Sequence, residues 1–272
     1  MHQVDKERLV KHFSQAASAY DTYAQVQKKM AVRLLAFAKA EQKKPPQRIL
    51  EIGCGTGYLT QLLAREFPKS SILATDISSA MVKTAQSKLD DQPQVRFAQM
   101  DGERLDDGTE YDLIIANAVF QWFAAYSRAF TGFYRHLIPG GNLIYSTFGA
   151  GTFEELQTAF SQAYQKNSLP TAYQSGPRFQ TVQELAAVSA QLGFASSYRE
   201  HKYREYFPTV KDFLKSIKKV GANNANRGEN LHVPKKVMLN MLEYYQEQFC
   251  ENQQVYATYH VIFGASQKRM NV

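Results

Sequence analysis

The stretch Ile49–Leu59, ILEIGCGTGYL, decides the fold. An apolar run, Ile49 to Ile52, meets three alternating glycines, Gly53, Gly55 and Gly57, and an amphipathic run follows at once. A buried strand that turns through residues lacking a Cβ lets the backbone bend sharply and lie against a ligand before a helix begins. Dinucleotide sites set the third glycine one residue later, as G-x-G-x-x-G, and aim the helix N-terminus at a pyrophosphate. Here position 58 is Tyr, and Glu51 puts a carboxylate just before the turn. That charge repels a pyrophosphate and favours an ammonium or a sulfonium.

Beyond the turn, short apolar runs alternate with longer amphipathic ones, which predicts a parallel sheet with helical crossovers. Strands are expected at Arg48–Ile52, Ser71–Thr75, Val95–Met100, Tyr111–Ala116, Asn142–Thr147, near Ser197–Tyr206 and near Tyr256–Gly264. Helices are expected at Tyr58–Glu66, Ser79–Leu89, Phe120–His136, Thr152–Gln165 and Val182–Leu192, and IPGG (Ile138 to Gly141) reads as a helix stop and turn. Upstream, residues 5 to about 40 read as one helix, with Tyr23, Val26, Met30, Leu34 and Phe37 at spacings of three and four. The prolines of KKPPQ (Lys43 to Gln47) end it. Between the last two strands, Thr209 to about Glu251 carries two helical patterns, Val210–Val220 and Pro234–Cys250, joined by GANNANRGENLH. An ordered insertion of that length at one end of a sheet reads as a lid or binding element. The expected division is a helical cap at 1–44, a cofactor-binding core at 45–208, the insertion at 209–251, and the last strand and tail at 252–272.

With 272 residues, 44% of them hydrophobic, the chain can bury one large α/β core plus a modest appendage. No run approaches the roughly 18 apolar residues of a membrane span, and the first residues lack the apolar centre of a secretory signal, so a cytoplasmic protein without a membrane partner is expected. Two cysteines, Cys54 and Cys250, make no disulfide framework, and the six histidines show no ligand spacing, so no metal is expected. The formal charge is +7, and residues 199–236 hold 10 Lys/Arg against 4 Asp/Glu, a local +6. Such a segment is either a solvated face or a surface for an acidic partner.

The second expected strand ends in Asp76, 19 positions after Gly57, and the third in Asp101-Gly102. A carboxylate at the first place can accept hydrogen bonds from both hydroxyls of a ribose, and one at the second can take a proton-bearing adenine amine. Each acid alone is commonly a cap or turn residue; their order after strands one, two and three makes them specific. The fourth strand ends in NAVFQW, Asn117 to Trp122, which holds two amides and the only tryptophan. Either these residues wall a site, or Asn117 caps a helix that Phe120 and Trp122 root in the core; both can hold.

In order, Glu51-Ile-Gly53-Cys-Gly55-Thr-Gly57, Asp76 and Asp101 resemble the glycine turn, ribose acid and adenine acid of the class I S-adenosylmethionine-dependent methyltransferases. The flanks are more telling: VKHFSQAASAYDTYAQVQKKMAVRLL, NAVFQW, VKDFLKSIKKVGANNA and QVYATYHVIFGASQK together look like the malonyl-acyl-carrier-protein O-methyltransferases of biotin synthesis. The resemblance implies a Rossmann-like α/β fold: a seven-stranded, mostly parallel sheet with helices on both faces, a final antiparallel hairpin, an N-terminal helical cap and a helical insertion before the last strand. It implies S-adenosylmethionine as methyl donor, held by Glu51, Gly53, Gly55, Gly57, Asp76, Ile77, Met81, Asp101, Gly102 and Asn117. The implied reaction methylates the free carboxylate of a malonyl thioester on acyl carrier protein, giving the ester that primes pimeloyl and biotin synthesis. Tyr20, Tyr23, Asn117, Gln121 and Trp122 are then candidates for the substrate pocket, the two tyrosines being otherwise core or rim residues.

A carboxylate is already ionised at neutral pH, so no residue is expected to act as a general base. Catalysis must come from alignment and from excluding water. Acyl carrier proteins are strongly acidic, which gives Lys211, Lys215, Lys218 and Lys219, on one helical face, a docking role in place of simple solvation. Arg199, Lys202 and Arg204 are candidates to grip the malonyl carboxylate, or are surface strand residues. Three other readings stay open: methylation of another small molecule, such as a quinone-type ring or a different carboxylate; nucleic-acid methylation, which the basic charge suggests; and a non-catalytic cofactor-binding module. Amino-methylating enzymes of the second kind use a proline-containing turn after strand four, and Asn117-Ala118-Val119-Phe120 has none, so no nucleic-acid partner is expected.

Overall fold

The computed structural model describes residues 5–42, 44–105, 108–170, 177–220 and 233–270; the expected linker at 221–232 lies outside them. The strands are β1 (Arg48–Ile52), β2 (Ser71–Asp76), β3 (Val95–Gln99), β4 (Tyr111–Asn117), β5 (Leu137–Phe148), β6 (Ala195–Phe207), β7 (Cys250–Glu251) and β8 (Gln254–Gln267). They form one sheet in the order β3-β2-β1-β4-β5-β8-β6, with β7 paired to β8. The first five run parallel, and β8 is antiparallel to both β5 and β6. The expected Rossmann-like sheet and final antiparallel pair are therefore present, lengthened by the two-residue β7. Its hairpin turns through Asn252 and Gln253, both at positive φ (50° and 65°), the conformation of a tight two-residue turn.

Alternate residues of the central strands feed two cores. Ile49, Leu113, Ile115 and Ile144 face α3 (Gln25–Glu41) and α4 (Tyr58–Glu66). Leu50, Ile52, Ile114 and Leu143 face α6 (Tyr126–His136) and α8 (Val182–Gln191). Burial on both faces is why these strands read as unbroken apolar runs. The insertion supplies α9 (Val210–Lys219) and α10 (Lys235–Gln248), which pack with α7 (Glu154–Lys166) around the fully buried Phe213, Met241 and Tyr245. Tyr245 Oη donates to the Tyr256 carbonyl at 2.9 Å, tying the insertion to β8.

Three expectations change. The single N-terminal helix is instead α1 (Lys6–Ala16), α2 (Tyr20–Tyr23) and α3. Long-range bonds override local helical propensity there: Asp21 on α2 accepts from Thr56 Oγ1 (2.6 Å) and Lys88 Nζ (2.5 Å), which pins α2 over the glycine turn. The expected helix Phe120–His136 is split into a 3-10 turn, Phe120–Trp122, and α6, because the Glu103 carboxylate takes the amides of Ala124 (2.9 Å) and Ala125 (3.0 Å). The IPGG turn lies inside β5, and a register shift between Tyr111 and Leu113 absorbs its bend, with Gly140 at φ +81°.

Candidate active site

All the motif residues converge at the carboxyl ends of β1, β2, β3 and β4, under the cap. Gly53, Gly55 and Gly57 have φ of +69°, +54° and +89°, a region that side-chain-bearing residues enter only under strain. A Cβ on Gly53 would sit 2.3 Å from Val119 Cγ2, so the turn and the start of NAVFQW are in direct contact. A Cβ on Gly55 would meet nothing closer than the Tyr20 ring, at 4.0 Å, because the space above it is the cleft.

The cleft has two connected parts sharing Tyr20, Gly53, Gly55 and Asn117. The larger, about 670 Å³, runs past Asp76, Ile77, Met81, Asp101 and Gly102 to Trp122, and α1 covers it with Lys6, Leu9 and Phe13. The smaller, about 400 Å³, is the more polar of the two and holds Glu51, Lys28, Asp21 and Thr56.

Asp76 is held by local backbone. Its two oxygens accept from Gly55 N (3.0 Å) and Ser78 N (2.8 Å), and burial raises its pKa to about 6 against those bonds. Asp101 accepts from the local Glu103 N (3.1 Å) and, from the cap, from Lys6 Nζ at 2.8 and 2.6 Å; the same ammonium reaches Glu103 at 3.0 Å. Glu51 is 1% exposed, and its Oε2 has no hydrogen-bond partner. Burial first, with Asp76 nearby adding to it, raises its pKa to about 8. A buried acid with one unpartnered oxygen against the glycine turn is a ready acceptor for a cation.

The fourth strand's end is rigid. Asn117 is fixed on both sides, Nδ2 donating to the Gln27 carbonyl (3.0 Å) and Oδ1 accepting from Ser146 Oγ (2.7 Å). Ala118 follows at φ 55°. Trp122 is 8% exposed, lines the large cleft, and meets the Phe13 ring edge to face at 5.6 Å. Phe120 is in the core and Trp122 walls the cleft, but the expected Asn117 cap is corrected: the 3-10 turn starts after Val119 with no side-chain cap, and the Asn117 amide is taken up by Gln27 and Ser146.

Residues 50–143 match the family described as methyltransferase domain. Among solved structures, the YcgJ protein of Bacillus subtilis superposes with a TM-score of 0.61 at 17% identity, covering 88% of this chain and 98% of that one. Phosphoethanolamine N-methyltransferase 2 of Haemonchus contortus, solved with S-adenosyl-L-methionine, gives 0.53 at 18% identity over 88% of this chain and 52% of that one. The malonyl-[acyl-carrier protein] O-methyltransferase of Priestia megaterium is 38% identical over 268 residues, covering 95% of this chain and 96% of that one. The chain belongs to the malonyl-[acyl-carrier protein] O-methyltransferase family.

Within this family member, the structure brings together Tyr20, Glu51, Gly53, Gly55, Asp76, Ile77, Met81, Asp101, Gly102, Asn117 and Trp122 around the cleft. Gly57 stands behind it, where an added Cβ would come within 3.1 Å of Ala85 and Leu89. Gln121 is corrected: it is buried and lines neither part of the cleft, its amide donating to the Ala118 carbonyl and accepting from Thr147 Oγ1, so it braces the turn. Tyr23 is corrected likewise, because the short α2 aims Tyr20 and not Tyr23 at the cleft. Arg199, Lys202 and Arg204 lie on the edge strand β6, over the Phe37 ring, paired to Glu154 and paired to Glu251 respectively, and none lines the cleft. Lys211, Lys215, Lys218 and Lys219 are exposed along α9, whose other side buries Val210 and Phe213. Sequence reading missed Lys6, Phe13 and Lys28; the regular charges of an amphipathic helix gave no sign of which would turn inward.

Proposed function

We propose that this chain transfers a methyl group from S-adenosylmethionine to the free carboxylate of a malonyl group carried on acyl carrier protein. The observation that carries this reading is the near-full-length similarity to the Priestia megaterium enzyme, cap and insertion included. The cleft fits the donor: a buried acid with an orphaned oxygen, a glycine cradle a side chain would fill, and two further acids in sequence along the strand ends. When bound, the donor supplies a methyl on a positively charged sulfur, ready for displacement by an oxygen nucleophile.

In this reading Asp76 and the neighbouring Ile77 and Met81 hold the ribose side, and Asp101-Gly102 the adenine side. Glu51 accepts from the amino group, Lys28 faces the carboxylate, and Gly53, Gly55 and Asn117 line the path between. Trp122, Phe13 and Leu9 form an apolar wall of the cleft that would keep water from the donor's methyl. A carboxylate nucleophile needs no base; it needs to lose water and to be aligned, and an apolar wall against a fixed Asn117 does both. Tyr20 keeps its proton, since burial and then Asp76 and Asp21 push its pKa up, so it serves as a hydrogen-bond donor. The cap 1–44 and insertion 209–251 act as covers of the core 45–208 and its last strand 252–272. The lysines of α9 attract an acidic carrier, and the setting is the cytoplasm. Among the described residues no helix is long and apolar enough to cross a membrane.

The test offers methyl-labelled donor with malonyl-carrier protein, malonyl-coenzyme A and free malonate. Label on the malonyl group of the carrier, released by mild base, is the expected result. Label on none of the three removes the reading. Trp122→Ala is expected to lower catalytic efficiency at least tenfold, and a loss under threefold removes Trp122 from the pocket's working wall.

A further inference from the structure

A second concavity, about 870 Å³ and open to solvent, lies beside the cleft, with Glu103 in the lining of both. Arg104, Arg128 and Arg135 surround it, all exposed, with Ser127 and Thr131 on the same helix. The acids next in sequence, Asp106 and Asp107, are outside the described residues. Among the described residues, none of the three guanidiniums has a hydrogen-bond or ion-pair partner. The Glu103 oxygens pair with none of them, being engaged by Lys6 and by the amides of Ala124 and Ala125. Arg128 is the oddest placed, in the first turn of α6, where the helix dipole already concentrates positive charge. Nothing in the described fold repays that position, whereas an anionic partner would.

We infer that this arginine groove is where the acyl carrier protein seats an acidic helix. The inference rests on the proposed function, and it adds a surface that sequence reading did not assign. Arg128 and Arg135 are seven residues apart on α6, about 10 Å along its axis, a separation that two turns of a partner helix match. Arginine presents a planar fork that grips a carboxylate in a fixed direction, while a lysine ammonium is a flexible point charge. The two basic surfaces then divide the work: α9 lysines draw the carrier in, and the arginine groove sets its register. The groove begins at the amino end of α6, beside the Trp122–Phe123 wall of the cleft, so a carrier seated there delivers its arm over the cleft's edge.

The test is the charge reversal R128E/R135E, two exposed side chains that touch neither donor nor malonyl group. The Michaelis constant for malonyl-carrier protein is expected to rise at least tenfold at low salt and to approach the wild-type value at high salt. The constant for malonyl-N-acetylcysteamine, which has no carrier, and the Kd for S-adenosylhomocysteine are expected to stay within twofold; the latter also reports that the variant is folded. The milder R128Q/R135Q should move the carrier constant in the same direction by a smaller factor. An unchanged carrier constant in the reversed variant overturns the groove while leaving the proposed reaction standing, and so does an equal loss on the carrier-free thioester. Wild-type protein that methylates neither substrate overturns the reaction and the groove with it.

Discussion

Asp76 and Asp101 end adjacent strands, line the same cleft and each accept the amide two residues on, yet the rest of their support differs. Asp76 is 8% exposed, and two amides of its own neighbourhood, Gly55 and Ser78, fix it. Asp101 keeps a side-chain exposure of 26%, has one local amide, that of Glu103, and is otherwise held by Lys6, an ammonium 95 residues away on the cap. One acid belongs to the core and is set when the glycine turn folds. The other is completed only when α1 closes over it. The difference separates a rigid half of the site, which determines whether a ligand is held at all, from a cap-dependent half that tunes how tightly.

The rigid half should break hardest. Gly53→Ala forces a Cβ to 2.3 Å from Val119 at φ +69°, and about 3 kcal/mol of stability is expected to be lost in urea denaturation. Adding Val119→Ala should recover the steric share and leave the backbone share, so the pair is less stable than wild type but more stable than the single variant. Full recovery would mean that the left-handed turn itself is not strained.

Asp76→Ala comes next. It strands the Gly55 and Ser78 amides, with a loss of about 1–3 kcal/mol expected. Asp101→Ala removes a partly exposed ion pair and a single part-buried amide bond, for about 1 kcal/mol. Binding of S-adenosylhomocysteine should weaken in both, but the first should move the denaturation midpoint further. Equal shifts in stability would erase the distinction between the two acids.

Glu51 allows the same half to be probed by pH. Its folded pKa, about 8, lies above its ordinary 4.5, so the folded chain carries an extra proton between those values. Stability from this group therefore falls as pH rises through that window and is level above about 8. A ligand that brings an ammonium to Glu51 must expel the proton. S-adenosylhomocysteine binding at pH 7 is expected to release close to one proton, measured by calorimetry in buffers of different ionisation enthalpy, and to tighten toward pH 8. Methylthioadenosine, which lacks the amino-acid end, should release none, and Glu51→Gln should abolish the release.

The rigid half was legible in the sequence because its logic is local. Ile49 to Ile52 reads as a strand buried on both faces, and the three glycines and Asp76 lie within 24 residues of one another, in the order the turn requires. The cap half was not. Residues 5 to 40 have the periodicity of one helix, and only the pull of Thr56 and Lys88 on Asp21, 35 and 67 positions away, breaks it and swings Tyr20 inward. Gln121 shows the same limit at a single residue: its place after β4 was readable, but its direction is set by Thr147 on the neighbouring strand. The lysine face of α9 was readable as a pattern, whereas the arginine groove was not, because Arg104 joins Arg128 and Arg135 only through the packing of the β3 loop beside α6.

The smallest expected effect tests the cap half directly. Lys6 makes two bonds to Asp101 and one to Glu103, but its side chain is 30% exposed and α1 has other holds, Ser14 to Ser78 at 2.9 Å and Phe13 against Trp122. Lys6→Met should therefore cost about 0–1 kcal/mol in stability. A carboxylate has room for about four hydrogen bonds, so two from Lys6 and one from Glu103 N leave a site for an incoming amine. The Kd for S-adenosylhomocysteine should accordingly change less than threefold in Lys6→Met, and by more in Asp101→Asn. A tenfold change in Lys6→Met would show that the ammonium itself reads the ligand, and would move Lys6 from the cap's fastening into the binding site.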